Sequence, residues 1–235
     1  MSYLSKTLVA VGALGLATVV TIPAAQAEQG DWLIRGGVTM VSPQSDNLKF
    51  DAGDLGVLKL DVKDATSFGF NVAYMMTDNI GIELLAAVPF KHDVNASVEG
   101  VSGSGKLGSV DQLPPTLSLQ YYFMPDGKFS PYVGLGVNWT LFSSEKLSSD
   151  FEAALIDEGL LDPCLTLDDS FGVAVQVGAD FNFSENWFVN ADIRWINIES
   201  KAKLSATSDG IDETVTLGTV KINPFVYSIM LGYRF

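Results

Sequence analysis

Apolar and polar residues alternate one by one through most of the chain after Ala27. The longest run is "DSFGVAVQVGADFNF". Phe171, Val173, Val175, Val177, Ala179, Phe181 and Phe183 share one face, and Ser170, Gly172, Ala174, Gln176, Gly178, Asp180 and Asn182 the other. Period two is the signature of a strand with two unlike faces. At about 14 residues this one is far longer than the usual five or six of globular proteins. Seven more stretches behave alike: "DWLIRGGVTMVS", "ATSFGFNVAYMM", "NIGIELLAAVPF", "PTLSLQYYF", "PYVGLGVNWTLF", "NWFVNADIRWINI" and the closing "NPFVYSIMLGYRF". In "NIGIELLAAVPF" the alternation puts Ile80, Ile82, Leu84, Ala86, Val88 and Phe90 opposite Gly81, Glu83, Leu85 and Ala87.

The links between these stretches alternate in length. Residues 77–79, 124–130 and 184–187 are tight and rich in Asp, Asn and Gly, as hairpin turns are. Residues 43–63, 91–112, 143–168 and 200–219 are long. The prediction is an all-β fold: an eight-stranded antiparallel up-and-down transmembrane β-barrel over residues 28–235, with short periplasmic turns and long outer loops. A soluble lipocalin-like barrel alternates as well, but its apolar face points inward and its outer face is charged. Here the apolar faces carry no Lys, Arg, Asp or Glu at the strand centres. The opposite faces are rich in Gly, Ala, Ser and Thr and hold Arg35, Glu83, Asp180, Asp192, Arg194 and Arg234. Apolar residues therefore face lipid, and the charges form a paired network in the lumen, because an unpaired buried charge is costly. Trp32, Trp139, Trp187, Trp195, Tyr227 and Tyr233 lie near strand ends, as interfacial aromatic girdles do.

Residues 1–27 read as a cleaved signal peptide. Lys6 precedes an apolar run from about Leu8 to Ile22, then Pro23 and the small-residue site Ala25-Gln26-Ala27. A transmembrane anchor is the competing reading, and the short run disfavours it. The chain of 235 residues is 47% hydrophobic and 18% charged, with net charge −14. So acidic a chain is a poor partner for nucleic acid. One cysteine, Cys164, permits no internal disulfide, and Cys164 with the single His92 makes no zinc site.

Other candidate chemistry is sparse. "SDFEAALIDEGL", in loop 143–168, predicts a short amphipathic helix with Asp150 as its cap and Gly159 and Pro163 as stops. With Phe151, Ala154 and Leu155 at helical spacing, such a helix either gates the barrel mouth or catches hydrophobic ligands, or else packs down to close the loop. The carboxylates around it lack EF-hand spacing and read as a solvated acidic surface, one that also meets lipopolysaccharide-held cations. No metal or other cofactor is predicted. No Ser/His/Asp clustering accompanies His92, so the chain does not read as an enzyme.

The stretches "GIELLAAVPFKHDV", "LPPTLSLQYYF", "KFSPYVGLGVNWTLF", "DSFGVAVQVGADF" and "PFVYSIMLGYRF" resemble the outer membrane protein W (OmpW) family, which includes the AlkL-type uptake barrels. The resemblance covers about Gly30 to Phe235 and implies a bacterial outer-membrane location. It also implies passive uptake of small hydrophobic ligands through a narrow interior, with a lateral exit to the membrane. The alternative is an occluded structural, adhesion or receptor barrel acting through its outer loops. Leu85 points inward and matches an apolar lining position of the family; Tyr122, Gln176 and Arg194 are the other lining candidates. Arg194 stands where the family pattern has a bulky aromatic, which makes the constriction more polar. Pro89, Pro114 and Pro115 match as well. Lacking N–H donors, they either open a gap in the wall or simply end strands. Tyr227, Ile229, Leu231, Tyr233 and Phe235 resemble the C-terminal signal read by the barrel-assembly machinery. The expected surroundings are outer-membrane lipid and lipopolysaccharide; the pattern sets no oligomeric state.

Overall fold

A computed structural model describes residues 28–44, 49–51, 57–98, 104–157, 159, 161–208 and 211–235. Residues 1–27, read from the sequence as a signal peptide, lie outside the described residues. Among the described residues no helix is long and apolar enough to cross a membrane.

Eight strands close the barrel: β1 (Trp32–Ser42), β4 (Ala65–Met75), β5 (Ile80–Ala87), β8 (Thr116–Tyr122), β9 (Phe129–Leu147), β11 (Ser170–Asn182), β12 (Trp187–Ile196) and β15 (Phe225–Arg234). Neighbours in this order pair antiparallel, and β15 returns to β1 through Leu33–Arg234 to Ser42–Phe225. No free edge remains at that seam, which hydrocarbon requires because it offers the backbone no other partner.

The faces follow the sequence alternation. On β11, Phe171, Val173, Val175 and Val177 are exposed while Ser170, Ala174, Gln176 and Asp180 are buried. The exposed residues of β4, β8, β9 and β15 are likewise apolar at their centres, as lipid contact demands. Rings cluster at the turn end: Trp32 on Tyr74 at 5.0 Å, Trp187 on Tyr233 at 4.9 Å, and Tyr233 on Phe235 at 4.7 Å.

The other end departs from the expectation of long loops. Most of the described residues there are strand: β2 (Lys49–Asp51), β3 (Val57–Val62), β6 (Phe90–Val98) and β7 (Gly105–Leu113) extend the β9 side. Opposite them, β10 (Leu161–Leu167), β13 (Glu199–Ser208) and β14 (Ile211–Lys221) form a separate three-stranded sheet. Above the lipid the outer face meets water, so charges move outward and apolar residues turn inward. Phe90 is the residue at which parity breaks. It continues the even-numbered outward row of β5 in sequence, yet it is 1% exposed. The bend at Val88-Pro89 turns the row over, so that Phe90 joins Val41, Ala65, Ile196, Ile198, Ile222 and Val226 in an apolar cluster inside the outer half.

The helix α1 (Ser149–Asp157) forms where expected, but Ser148 caps it. The Phe151 N–H donates to Ser148 Oγ at 3.3 Å, and the Glu152 N–H to the Ser148 carbonyl at 2.9 Å. Asp150 instead lies in the first turn, where a carboxylate is favourable.

Candidate functional site

Inward side chains from all sides of the barrel fill its inner half. Arg35, from β1, donates to Glu83 at 3.1 Å, Asp180 at 2.8 Å, Tyr122 at 2.7 Å and Asn71 at 3.3 Å. Arg194, from β12, donates to Glu83 at 2.6 Å and lies 3.5 Å from Asp192. Glu83 thus bridges two arginines, one on each oxygen, and also accepts from Gln120 at 2.9 Å. Asp180 accepts from Asn190 at 2.7 Å, and Asp192 from Tyr132 at 3.2 Å. Every residue of this layer is nearly or wholly buried.

Below it lies an aromatic floor of Tyr122, Tyr132 and Phe188 with Leu33 and Met75. The Arg35 guanidinium sits 5.4 Å from the Phe188 ring centre and 5.8 Å from that of Tyr132. Glycines make room for these rings. A Cβ at Gly178 would stand 2.4 Å from the Tyr132 hydroxyl, and one at Gly232 2.3 Å from the Phe188 ring. Arg234 lies at the turn end, donating to Asn182 at 3.2 Å with Asp31 at 3.8 Å. The structure therefore brings Arg35, Glu83, Asp180, Asp192 and Arg194 into one layer, and sets Arg234 apart beneath it.

The outer half is of opposite character. A cavity of about 520 Å³ opens between the two outer sheets and α1. Leu60, Val62, Val94 and Leu107 line one side; Leu165, Leu167, Ala202 and Leu204 line another; Phe151 and Leu155 of α1 contribute from the helix. Lys106 and Glu145 are its charged lining residues, and Lys106 pairs with Asp93 at 2.7 Å. The volume falls in the range of small-molecule sites, about 300–1,000 Å³.

None of the four lining candidates borders this cavity. Tyr122 and Arg194 belong to the charged layer, and Gln176 stands opposite Arg194 in the β11–β12 register. Leu85 is buried and forms, with Thr116, the last pair of the β5–β8 ladder. That ladder runs from Ile80–Tyr121 to Leu85–Thr116, and pairing resumes above at Phe90–Gln112 between β6 and β7. Residues 86–89 and 113–115 lie between, and Pro89, Pro114 and Pro115 all fall in this interval. The cavity begins just above it, at His92 and Gln112. Apart from Phe151 and Leu155 on the expected helix, the cavity residues went unrecognised in the sequence because they lie in stretches read as loops. Their signal was there in "KLDV" and "KHDV", where apolar residues alternate with charges rather than with small residues.

Tyr227, Ile229, Leu231 and Phe235 point outward and are exposed; Tyr233, half-buried, packs between Trp187 and Phe235. Among the described residues no cluster of His, Cys, Asp and Glu forms a metal site, and Cys164 is a free, exposed thiol.

Comparison with known proteins matches residues 28–235 to the OmpW family. The chain is 37% identical over 223 residues to the outer membrane protein W of Vibrio cholerae, covering 94% of this chain and 95% of that protein. It is 28% identical over 215 residues to the outer membrane protein AlkL of Ectopseudomonas oleovorans, covering 88% and 83%. Among solved structures it is similar to the outer membrane protein OprG of Pseudomonas aeruginosa, with a TM-score of 0.75 and 36% identity over 91% of this chain and 99% of that one.

Proposed function

The chain belongs to the OmpW family of bacterial outer-membrane β-barrels, which are not enzymes, and on that premise we propose that it passes small hydrophobic molecules from its outer cavity sideways into the membrane. One observation carries the reading: an apolar cavity of about 520 Å³ stands over a packed apolar cluster, and beneath that cluster lies a buried layer of paired charges. A hydrophobe gains free energy in the cavity, roughly 25 cal/mol for each Å² of apolar surface removed from water. It gains nothing by moving on into a layer of ion pairs whose groups it cannot hydrogen-bond. The favourable way out is lateral, through the interval at Pro89, Pro114 and Pro115 where β5 and β8 have stopped pairing. There Pro89 and Pro114 lack the N–H groups that could bridge the two edges, while Pro115 points its carbonyl at β9.

In this reading Leu85 marks the foot of the lateral opening, Gln176 and Arg194 cap the charged layer, and Tyr122 helps to hold it. Lipid and lipopolysaccharide surround the wall. The outward residues Tyr227, Ile229, Leu231, Tyr233 and Phe235 face the assembly machinery before they face lipid. The test is uptake of naphthalene by cells with and without the protein. Faster uptake with the protein supports the reading, and equal rates overturn it.

A further inference from the structure

Two buried polar side chains stand in the cavity wall, and the uptake reading leaves both unused. His92 of β6 and Gln112 of β7 are each about 1% exposed, and both border the cavity. They are diagonal neighbours across the hairpin, since His92 pairs with Val110 and Gln112 with Phe90. His92 Nδ1 lies 2.8 Å from the Lys63 carbonyl oxygen. A carbonyl only accepts, so Nδ1 carries the proton and Nε2 presents a lone pair. Burial lowers the His92 pKa from its ordinary value, against the Lys63 carbonyl, Asp64, Asp111 and Gln112, which act to raise it. The ring is therefore neutral at neutral pH. Gln112 is near enough to influence the ring, yet neither His92 Nε2 nor Gln112 Nε2 has a partner in hydrogen-bonding geometry. Leaving such groups buried and unpaired is costly, and a ligand that pairs them recovers that cost.

We propose that His92 Nε2 and Gln112 Nε2 form a subsite for a hydroxyl group, so that the cavity selects hydrophobes bearing one alcohol or phenol over plain hydrocarbons. His92 Nε2 accepts and Gln112 Nε2 donates. A hydroxyl does both, so a single ligand oxygen satisfies the pair. An alkane satisfies neither group, and a ketone satisfies only Gln112. The pair also stands at the lower edge of the cavity, beside the interval at Pro89 and Pro114, so it orients the ligand with its oxygen towards the lateral opening.

This selectivity rests on the uptake reading, and one experiment separates the two. Full-length protein in lipid nanodiscs is equilibrated with labelled 1-decanol or n-decane, and retention is measured against protein-free discs. The expected result is excess retention of both probes, with 1-decanol favoured by at least fivefold beyond its partition into lipid. Gln112→Leu should cut that preference roughly fivefold, the value of one hydrogen bond, and leave decane unchanged or better held. His92→Leu should do the same, and His92→Gln, which keeps a polar group at the Nε2 position, should restore it. Equal excess retention of the two probes, or variants that lose both alike, overturns the hydroxyl subsite alone. No excess retention of either probe overturns the cavity reading and the subsite with it.

Discussion

The chain segment from β12 into β13 passes through both halves of the lumen without changing phase. Its inward positions run Asn190, Asp192, Arg194 and then Ile196, Ile198, Ser200, Ala202 and Leu204. Its outward positions run Val189, Ala191, Ile193 and Trp195, then Glu199, Lys201 and Lys203. One strand direction thus carries two opposite solutions. Where lipid lies outside, the wall is apolar outward and the charges are sealed within. Where water lies outside, the charges face out and the apolar residues enclose a cavity. The solvent beyond the wall decides which face is greasy, and the lumen takes the remainder. The inner half is consequently packed and paired, while the outer half is left with room for a ligand.

The strongest way to break this contrast is to unpair the inner half. Glu83→Leu removes the carboxylate that holds both Arg35 and Arg194. Arg35 keeps Asp180, but Arg194 is left with only the longer contact to Asp192. Breaking a buried pair costs about 3–5 kcal/mol, and a loss of that size is expected in urea unfolding from lipid vesicles. A loss below about 1 kcal/mol would mean that water reaches the arginines and that the inner half is not sealed. A second change tests its packing rather than its charge. Gly178→Ala sets a methyl 2.4 Å from the Tyr132 hydroxyl and 2.8 Å from the Ala191 carbonyl oxygen. Overpacking of this kind costs about 1–3 kcal/mol, again read by urea unfolding, and hydrophobe retention should not change.

The contrast was half legible in the sequence. Lipid imposes a strict demand on the membrane band, so parity alone identified the outward rows and placed Arg35, Glu83, Asp180, Asp192 and Arg194 inside. Nothing so strict acts above the membrane. There Lys59, Asp61, Lys91 and Asp93 look like loop residues until the alternate Leu60, Val62, His92 and Val94 are seen to share a cavity wall. Phe90 was misplaced because parity was carried straight through Pro89, whose bend turns the row over. Ser148, not Asp150, caps α1, since two acceptable cap residues stood two positions apart and only geometry separates them. The cavity is made by strands distant in the chain, so local alternation could mark its walls but not the space that they enclose.

The outer half is tested by filling it. Ala202 is small, buried and part of the cavity wall. Ala202→Trp occupies space where a ligand's methylenes would lie. Excluding two of them forfeits about 1.6 kcal/mol at 0.8 kcal/mol each, so retention of n-decane in nanodiscs should fall by roughly tenfold. Urea unfolding should move far less than for Glu83→Leu. A large loss of stability with unchanged retention would show that the cavity wall is structural and that the ligand sits elsewhere.

The smallest effect falls at the boundary between the halves. Pro115 lies where β7 gives way to β8, and its carbonyl already accepts from Trp139 at 3.0 Å and from Asn138 at 3.0 Å. Its position is thus anchored on the β9 side. Hydrogen-bonding direction alternates along a strand, so the donor missing on the β5 side is that of Pro114. Pro114→Ala supplies that N–H without disturbing those two bonds. One added hydrogen bond across the interval to β5 would favour the closed wall by about 1 kcal/mol, a few-fold slowing of lateral release. Retention at equilibrium should stay as it was, because the cavity is untouched, while transfer of n-decane into acceptor vesicles slows. Slower transfer with unchanged retention separates the route from the site. Equal transfer rates for the two proteins would mean that the break in the β5–β8 ladder is only a strand end, and that ligands leave the cavity by another path.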